Sequence, residues 1–198
     1  MALYDPALTL REARRRYFDL NNFGPDGGYS AAWVMMKVGP VPIGFPNTRG
    51  RVEAVRFHDL HHVLTEYPTT WRGETEIGAW EVASGCARFY QGWLLNLLSF
   101  AIGLVINPRG VYAAFMRGRR SRNLYTSEFS DELLASRVGD VRRRLGLDGA
   151  PAEPTAEDKA SFVKWAAASV ATYFATGAVL LAPLGVLALA AVWWWFLS

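Results

Sequence analysis

A single cysteine, Cys86, stands among 198 residues. That excludes an internal disulfide and a multi-cysteine metal site, and it suits a reducing compartment. Without a nearby basic partner in sequence, Cys86 reads as a small buried hydrophobe. Histidine is almost as scarce, with three in the chain. Chemistry that draws on several histidine boxes, as in membrane di-iron hydroxylases and desaturases, is therefore out. The net charge of +3 is small for a nucleic-acid binder, so no nucleic acid is expected as a partner. There is no Gly-x-Gly-x-x-Gly, no P-loop and no Gly-x-Ser-x-Gly. The opening MALYDPALTL lacks a basic region followed by an apolar run, so no secretory signal peptide is expected.

Charge is also missing from one end. Residues 165–198 carry none, and 27 of those 34 residues are hydrophobic. All 39 charged residues lie in the other 164, which have an ordinary globular composition. This divides the chain into a domain over 1–147, a linker over 148–158 and a C-terminal membrane anchor helix over 159–198. A hairpin turning at Pro183 would leave a second leg too short to cross a bilayer. One tilted transmembrane helix fits better, with Trp193, Trp194 and Trp195 at the interface. A buried core helix or an interfacial anchor is the other reading. Lys159 and Lys164 flank the run on its N-terminal side, which predicts a membrane location with the main domain on the cytoplasmic side.

The fold class expected is mainly α. Thr9 and Glu12 form a capping-box pair before a helix with Leu10, Ala13, Tyr17 and Leu20 on one face. Val and aromatic residues around Gly39 and Pro40 suggest a short β-ribbon near residues 31–45, and Pro42 and Pro46 forbid a central strand. Asn47 or Thr48 caps a helix over about 49–66, and Thr70 caps another over about 72–89. Residues 89–107 are free of charge and read as a helix buried in protein or lying against lipid. Ser130 caps a helix with the stripe Leu134, Val138, Val141 and Leu145, ended by Gly146. Thr155 and Asp158 cap the last helix.

All three histidines fall within five positions, in HDLHH: His58, His61 and His62. On a helix, Val55, His58, Asp59 and His62 share one stripe. His58 and His62, four apart, can face one ion from the same side. Phe57, Leu60 and Leu64 make the neighbouring face apolar, so these polar groups need compensation on burial, which a divalent cation supplies. Glu74 lies twelve residues on, in the first turn of the next helix. The Pro68 turn can fold that helix back so that Glu74 covers the histidine face. The candidate ligands are then His58, His62, Glu74 and Asp59, a nitrogen and oxygen set that suits zinc foremost, with iron or manganese as alternatives. His61 is a candidate second-layer or acid–base group. The competing reading is a hydrogen-bond network joining two helices without metal.

The string HDLHHVLTEYPTTWRGE reads His-Asp-x-x-His, eleven residues, then Glu. It resembles the signature of the coenzyme Q (ubiquinone) biosynthesis protein 4 family, whose motif positions fall on His58, Asp59, His62 and Glu74. Weaker similarity runs through RGRRSRNLY and SDELLASRVGDVRRRLGL, so that 29–147 is covered. The C-terminal span lies outside the family's usual pattern and would make this a divergent, membrane-anchored branch. The resemblance implies a mostly helical fold, a metal site, peripheral membrane association and an apolar groove for a polyprenyl tail. It also implies a role in making ubiquinone, either by replacing the ring C1 carboxyl with a hydroxyl or by holding the biosynthetic complex together.

A lipid partner is also read from the residues. The metal motif runs directly into the apolar stretch 89–107. Trp80, Phe89, Tyr90 and Trp93 could line a pocket for a flat ring, although ordinary core is the simpler role for each. The basic run Arg117 to Arg122 could hold phosphate head groups or be a solvated loop. The expectation is thus a metalloprotein acting on a prenylated quinone precursor or similar lipid. Asp59 would be ligand or general base, and His61 an auxiliary catalytic group. The rival is a lipid-presenting scaffold with a structural metal. Expected partners are the membrane, its lipids, a quinone-biosynthesis complex and a second copy in a homodimer.

Overall fold

The computed structural model describes residues 3–38, 41–149 and 153–197. Among them the chain is mainly helical. The order is α1 (Leu10–Asn21), β1 (Trp33–Val38), β2 (Val41–Pro46), α2 (Arg49–Thr65), α3 (Trp71–Ser84), α4 (Tyr90–Ile106), α5 (Pro108–Arg120), α6 (Asp131–Ala135), α7 (Val138–Leu145) and α8 (Ala156–Leu197).

Local chemistry sets the helix starts. Thr9 and Glu12 complete a reciprocal capping box on α1, satisfying two N–H groups that the helix leaves open. Thr48, Thr70 and Ser130 cap α2, α3 and α6 through backbone N–H groups of Arg51, Gly73 and Leu133. Thr155 and Asp158 exchange three hydrogen bonds at the head of α8. That helix therefore begins inside the segment expected as linker; residues 150–152 of the linker lie outside the described residues. Among the described residues β1 and β2 pair only with each other, antiparallel, from Trp33 opposite Pro46 to Val38 opposite Val41. Pro42 and Pro46 thus sit in edge strands, where a missing N–H costs nothing. The expected turn at Gly39 and Pro40 falls outside the described residues.

Three expectations need correction. The helix expected over 72–89 stops at Ser84, because Gly85 turns to φ +91° and Ala87 to φ +44°. Asn123 holds this corner by donating to Ser84 Oγ and Gly85 O. The single helix expected after Ser130 is two, α6 and α7. Between them the Ser136 carbonyl accepts from Leu10 N–H, and Val138 N–H donates to Leu8 O, so the break pairs with the chain entering α1. On α1 itself Phe18 is buried, whereas Leu20 is exposed.

The core lies where α3 passes α4 and α5. Gly118 of α5 comes so close to α3 that a Cβ there would lie 2.5 Å from Trp80 O. Trp80 is fully buried and donates from Nε1 to Ser121 Oγ at 2.9 Å. Arg142 of α7, also buried, donates to the carbonyls of Val63 and Leu64 and to Glu66. It therefore closes the C-terminal end of α2, where a cation also suits the helix dipole.

The first part of α8 belongs to the domain. Phe162 packs on Phe100, Tyr112 and Phe115, and Trp165 stacks on Trp93 at 5.2 Å. The basic run holds its start: Arg119 pairs with Glu157 and Asp158, Arg120 with Asp158. Further along, Tyr173, Phe174, Val179, Leu180 and Leu181 are exposed. Ala156–Pro183 is long and apolar enough to cross a membrane. The whole of α8 is about 60 Å long, twice a bilayer's hydrocarbon core, so a domain-bound stretch and a span fit on one helix.

Candidate metal centre

α2 brings His58 and His62 onto one face, one turn apart. After Pro68 the chain reverses into α3. Gly73 makes this turn feasible, since a Cβ there would lie 2.0 Å from Pro68 O. The reversal lays Glu74 over the histidines, and Ser99 of α4 pins that turn by donating to Glu74 O at 2.7 Å. Nε2 of His58 is 3.1 Å from Nε2 of His62. The two Glu74 oxygens lie 3.5 Å from the first and 3.4 Å from the second. His58, His62 and Glu74 converge closely enough to share one metal ion.

The outer contacts decide what the inner atoms can be. His62 Nδ1 faces the Tyr67 carbonyl at 2.7 Å; a carbonyl only accepts, so Nδ1 carries the proton. His58 Nδ1 faces Glu81 Oε1 at 3.0 Å and carries its proton by the same argument. In neutral rings both Nε2 atoms are then lone pairs, pointing at each other and at a carboxylate. Such a cluster requires positive charge between its members, either a proton on one Nε2 or a metal ion. Two nitrogens bound to one metal at about 2.05 Å stand about 2.9 Å apart at a right angle and about 3.4 Å apart in a tetrahedron. The observed spacing lies between, and the His–carbonyl and His–carboxylate contacts are those that orient metal-binding imidazoles. The donor set therefore fits a divalent cation. Burial disfavours charge on His58, but Glu81 and Glu74 outweigh it and raise its pKa well above the ordinary value. Burial also works against the Glu74 carboxylate, and the two imidazoles more than offset it, holding its pKa well below the usual range.

Glu81 joins the site from outside the His-Asp-x-x-His and Glu74 pattern. It is fully buried on α3, two turns after Glu74. Four donors surround it: His58 Nδ1, His61 Nδ1 at 2.6 Å, Tyr125 Oη at 2.8 Å and Asn96 Nδ2. Burial raises its pKa, but the neighbouring histidines dominate and keep it ionised. The seven-residue spacing from Glu74, which repeats the same helix face, was the available signal.

The other expected residues take different places. His61 is not an acid–base group for a ligand. It is fully buried, its Nδ1–H is spent on Glu81, and its Nε2 accepts from Leu124 N–H at 3.0 Å. Burial lowers its pKa and keeps it neutral. It belongs to the framework behind His58. Asp59 stands outside the converging triad. Its Oδ2 accepts from Tyr29 Oη at 2.6 Å, and burial raises its pKa. Trp80 and Phe89 are core, Tyr90 is exposed, and Trp93 packs on α8. None of these four lines the cavity next to the triad, so the expected aromatic pocket is not made by them.

That cavity has a volume of about 790 Å³ and includes His58, Asp59, His62 and Glu74 in its wall. Its apolar lining includes Tyr17, Phe23, Trp33, Leu95, Leu98 and Ile102, from α1, the turn after it, the ribbon and α4. Tyr17 stacks on His62 at 5.4 Å. Cys86 is buried, as expected, and burial raises its thiol pKa. Comparison with family models, curated proteins and solved structures finds no match for this chain.

Proposed function

We propose that the protein is a membrane-anchored metalloprotein of the coenzyme Q biosynthesis protein 4 type, acting on a polyprenylated aromatic ring or a similar isoprenoid lipid. The observation that carries this reading is the convergence of two imidazole nitrogens and a carboxylate on the wall of a large apolar cavity. A cavity of this size and lining suits a hydrophobic ligand with few polar groups. The His-Asp-x-x-His and Glu74 spacing adds the family resemblance, and with it the exchange of a ring carboxyl for a hydroxyl. In that exchange the ring C–CO₂ bond breaks, water supplies the new ring oxygen, and O₂ takes the two electrons, so that CO₂ and hydrogen peroxide leave.

His58, His62 and Glu74 would hold the metal, which as a Lewis acid would stabilise negative charge on a ring oxygen or carboxylate. Zinc fits the donor set, as do iron and manganese, and zinc would leave the electron transfer to the ring and O₂. Asp59, its pKa raised by burial and its oxygen tied to Tyr29, lines the same cavity and would hold or accept a proton. Tyr17, stacked on His62, would shield that side from water. Lys159 and Lys164 before the apolar part of α8 support a domain on the cytoplasmic face.

A non-catalytic reading, a lipid-presenting scaffold of a quinone-biosynthesis complex, keeps the same cavity. It draws on Glu81, which ties both His58 and His61 into the buried frame, as a structural metal would require. Expression of Glu74→Ala in cells that depend on this chain for quinone separates the two. Loss of product with the fold and complex intact supports the enzyme; retained product supports the scaffold. Metal content of the purified chain tests both, since a metal-free, fully functional protein would overturn the metalloprotein reading.

A further inference from the structure

Arg51 lies on the cavity wall, on the stripe of α2 that carries the ligands. Arg51, Val55, His58 and His62 follow at i, i+4, i+7 and i+11, so Arg51 stands about 10 Å along the helix axis from His58. The guanidinium is held in place on two sides. Nη1 donates to Asn47 Oδ1 at 2.7 Å, and the Phe45 ring lies 5.6 Å from Cζ. Nε is different: it is buried and has no hydrogen-bond partner among the described residues. Asp59 is near enough to act on Arg51 electrostatically, yet none of the described carboxylates lies within ion-pair distance of it.

A buried donor on a full positive charge is costly to leave unpaired, and native proteins seldom do so without a role for it. A guanidinium N–H edge is suited to an oxyanion, with charge-assisted bonds stronger than neutral ones. The cavity thus has two polar anchors separated by apolar wall: the His58–His62–Glu74 triad and the Arg51 guanidinium, whose Nε–H lies unpaired just behind the lining.

We propose that Arg51 is an anion anchor, binding an oxyanion group (a carboxylate or phosphate) on the cavity's ligand at about 10 Å from the metal ligands. The inference uses the cavity and Arg51 and is independent of the quinone-type substrate. Its consequence is selectivity: a ligand with an acidic group at this distance is preferred over its neutral counterpart.

The test uses the full chain in detergent micelles with ¹⁵N-labelled arginine. The Nε–H signal of Arg51 is identified by its loss in Arg51→Met. Benzoate and phenyl phosphate are titrated as anionic probes and benzyl alcohol as the neutral control. A saturable shift of the Arg51 signal with either anion, absent with benzyl alcohol and persisting after chelation of metal, is the expected result; the anion that acts identifies the oxyanion. Binding of that anion should weaken at least about tenfold in Arg51→Met, with partial recovery in Arg51→Lys. Cobalt binding at the triad should be unchanged in both variants, which shows that they are folded. The proposal is overturned if neither anion moves the signal, if benzyl alcohol moves it equally, or if the shift disappears with the metal.

Discussion

Nδ1 of His58 lies 3.0 Å from Oε1 of Glu81, on the side of the imidazole turned away from Glu74. One carboxylate therefore fixes the ring whose other nitrogen faces the second carboxylate. Glu81→Gln keeps the volume but removes the charge and sets an N–H₂ where His58, His61 and Asn96 or Tyr125 now donate. Metal affinity should fall about 10–100-fold, read by competition with a chromophoric chelator. Glu81→Ala leaves four donors, three of them on buried residues, without their acceptor and should cost about 3–5 kcal/mol of stability, read by urea unfolding. Unchanged metal affinity in the Gln variant would remove Glu81 from the site's orientation.

Metal removal should destabilise the domain. Binding to the folded state alone contributes about 2.7 kcal/mol at a free metal concentration of about 100 times Kd. Excess chelator should therefore lower Tm, and re-addition of zinc should restore it. In His62→Ala the chelator should have no effect, because the triad is already broken. An equal chelator effect in wild type and variant would place the metal elsewhere.

The parts of this site that were legible in the sequence are those set by local geometry. His58 and His62 follow from helical spacing, and Glu74 follows from a proline turn that makes two helices antiparallel. The ribbon at 33–46 and the caps at Thr9, Thr70, Ser130 and Thr155 are equally local. What needed the structure was the rotation of each helix about its axis. Trp80 and Trp93 lie on helices near the site, yet α3 turns Trp80 into the core and α4 turns Trp93 towards Trp165. Asn96 and Tyr125 reach Glu81 from 15 and 44 residues away, a pairing that no periodicity encodes. His61 shows the same limit: its residue type fits catalysis, and only its partners Glu81 and Leu124 reveal a structural task.

The pH dependence of stability should carry a signature of Glu66 and Arg142. Burial pushes the Glu66 carboxyl up, but Arg142 at 2.8 Å and the N–H groups of Tyr4 and Leu3 outweigh it and bring its pKa below 4.5. A folded pKa below the unfolded one means that the contribution is fully present above the unfolded value. It is lost as pH falls through the folded value. Glu66→Gln should thus be less stable than wild type at pH 7, and the gap should close below about pH 4. Urea unfolding of both proteins across that range checks it. A gap that stays constant in acid would show that the carboxylate charge plays no part.

The division of α8 into a docked part and an apolar part makes the last prediction. Truncation after Gly177 removes Val179, Leu180, Leu181 and the tryptophans beyond, while Phe162 and Trp165 keep their partners. That chain should stay folded and leave the membrane fraction. Truncation after Thr155 removes Phe162 and Trp165 and also the acceptors of Arg119. Both rings are partly buried, so each contributes a part of the about 1.5–3 kcal/mol of full burial, still a sizeable share of a domain's total stability when added together. The shorter chain should therefore show a much lower Tm or fail to fold. Membrane flotation and thermal unfolding of the two truncations separate the roles. If the chain ending at Gly177 stays on membranes, the exposed Leu94, Val105 and Ile106 of α4 would be the attachment surface, and α8 would not be the sole anchor.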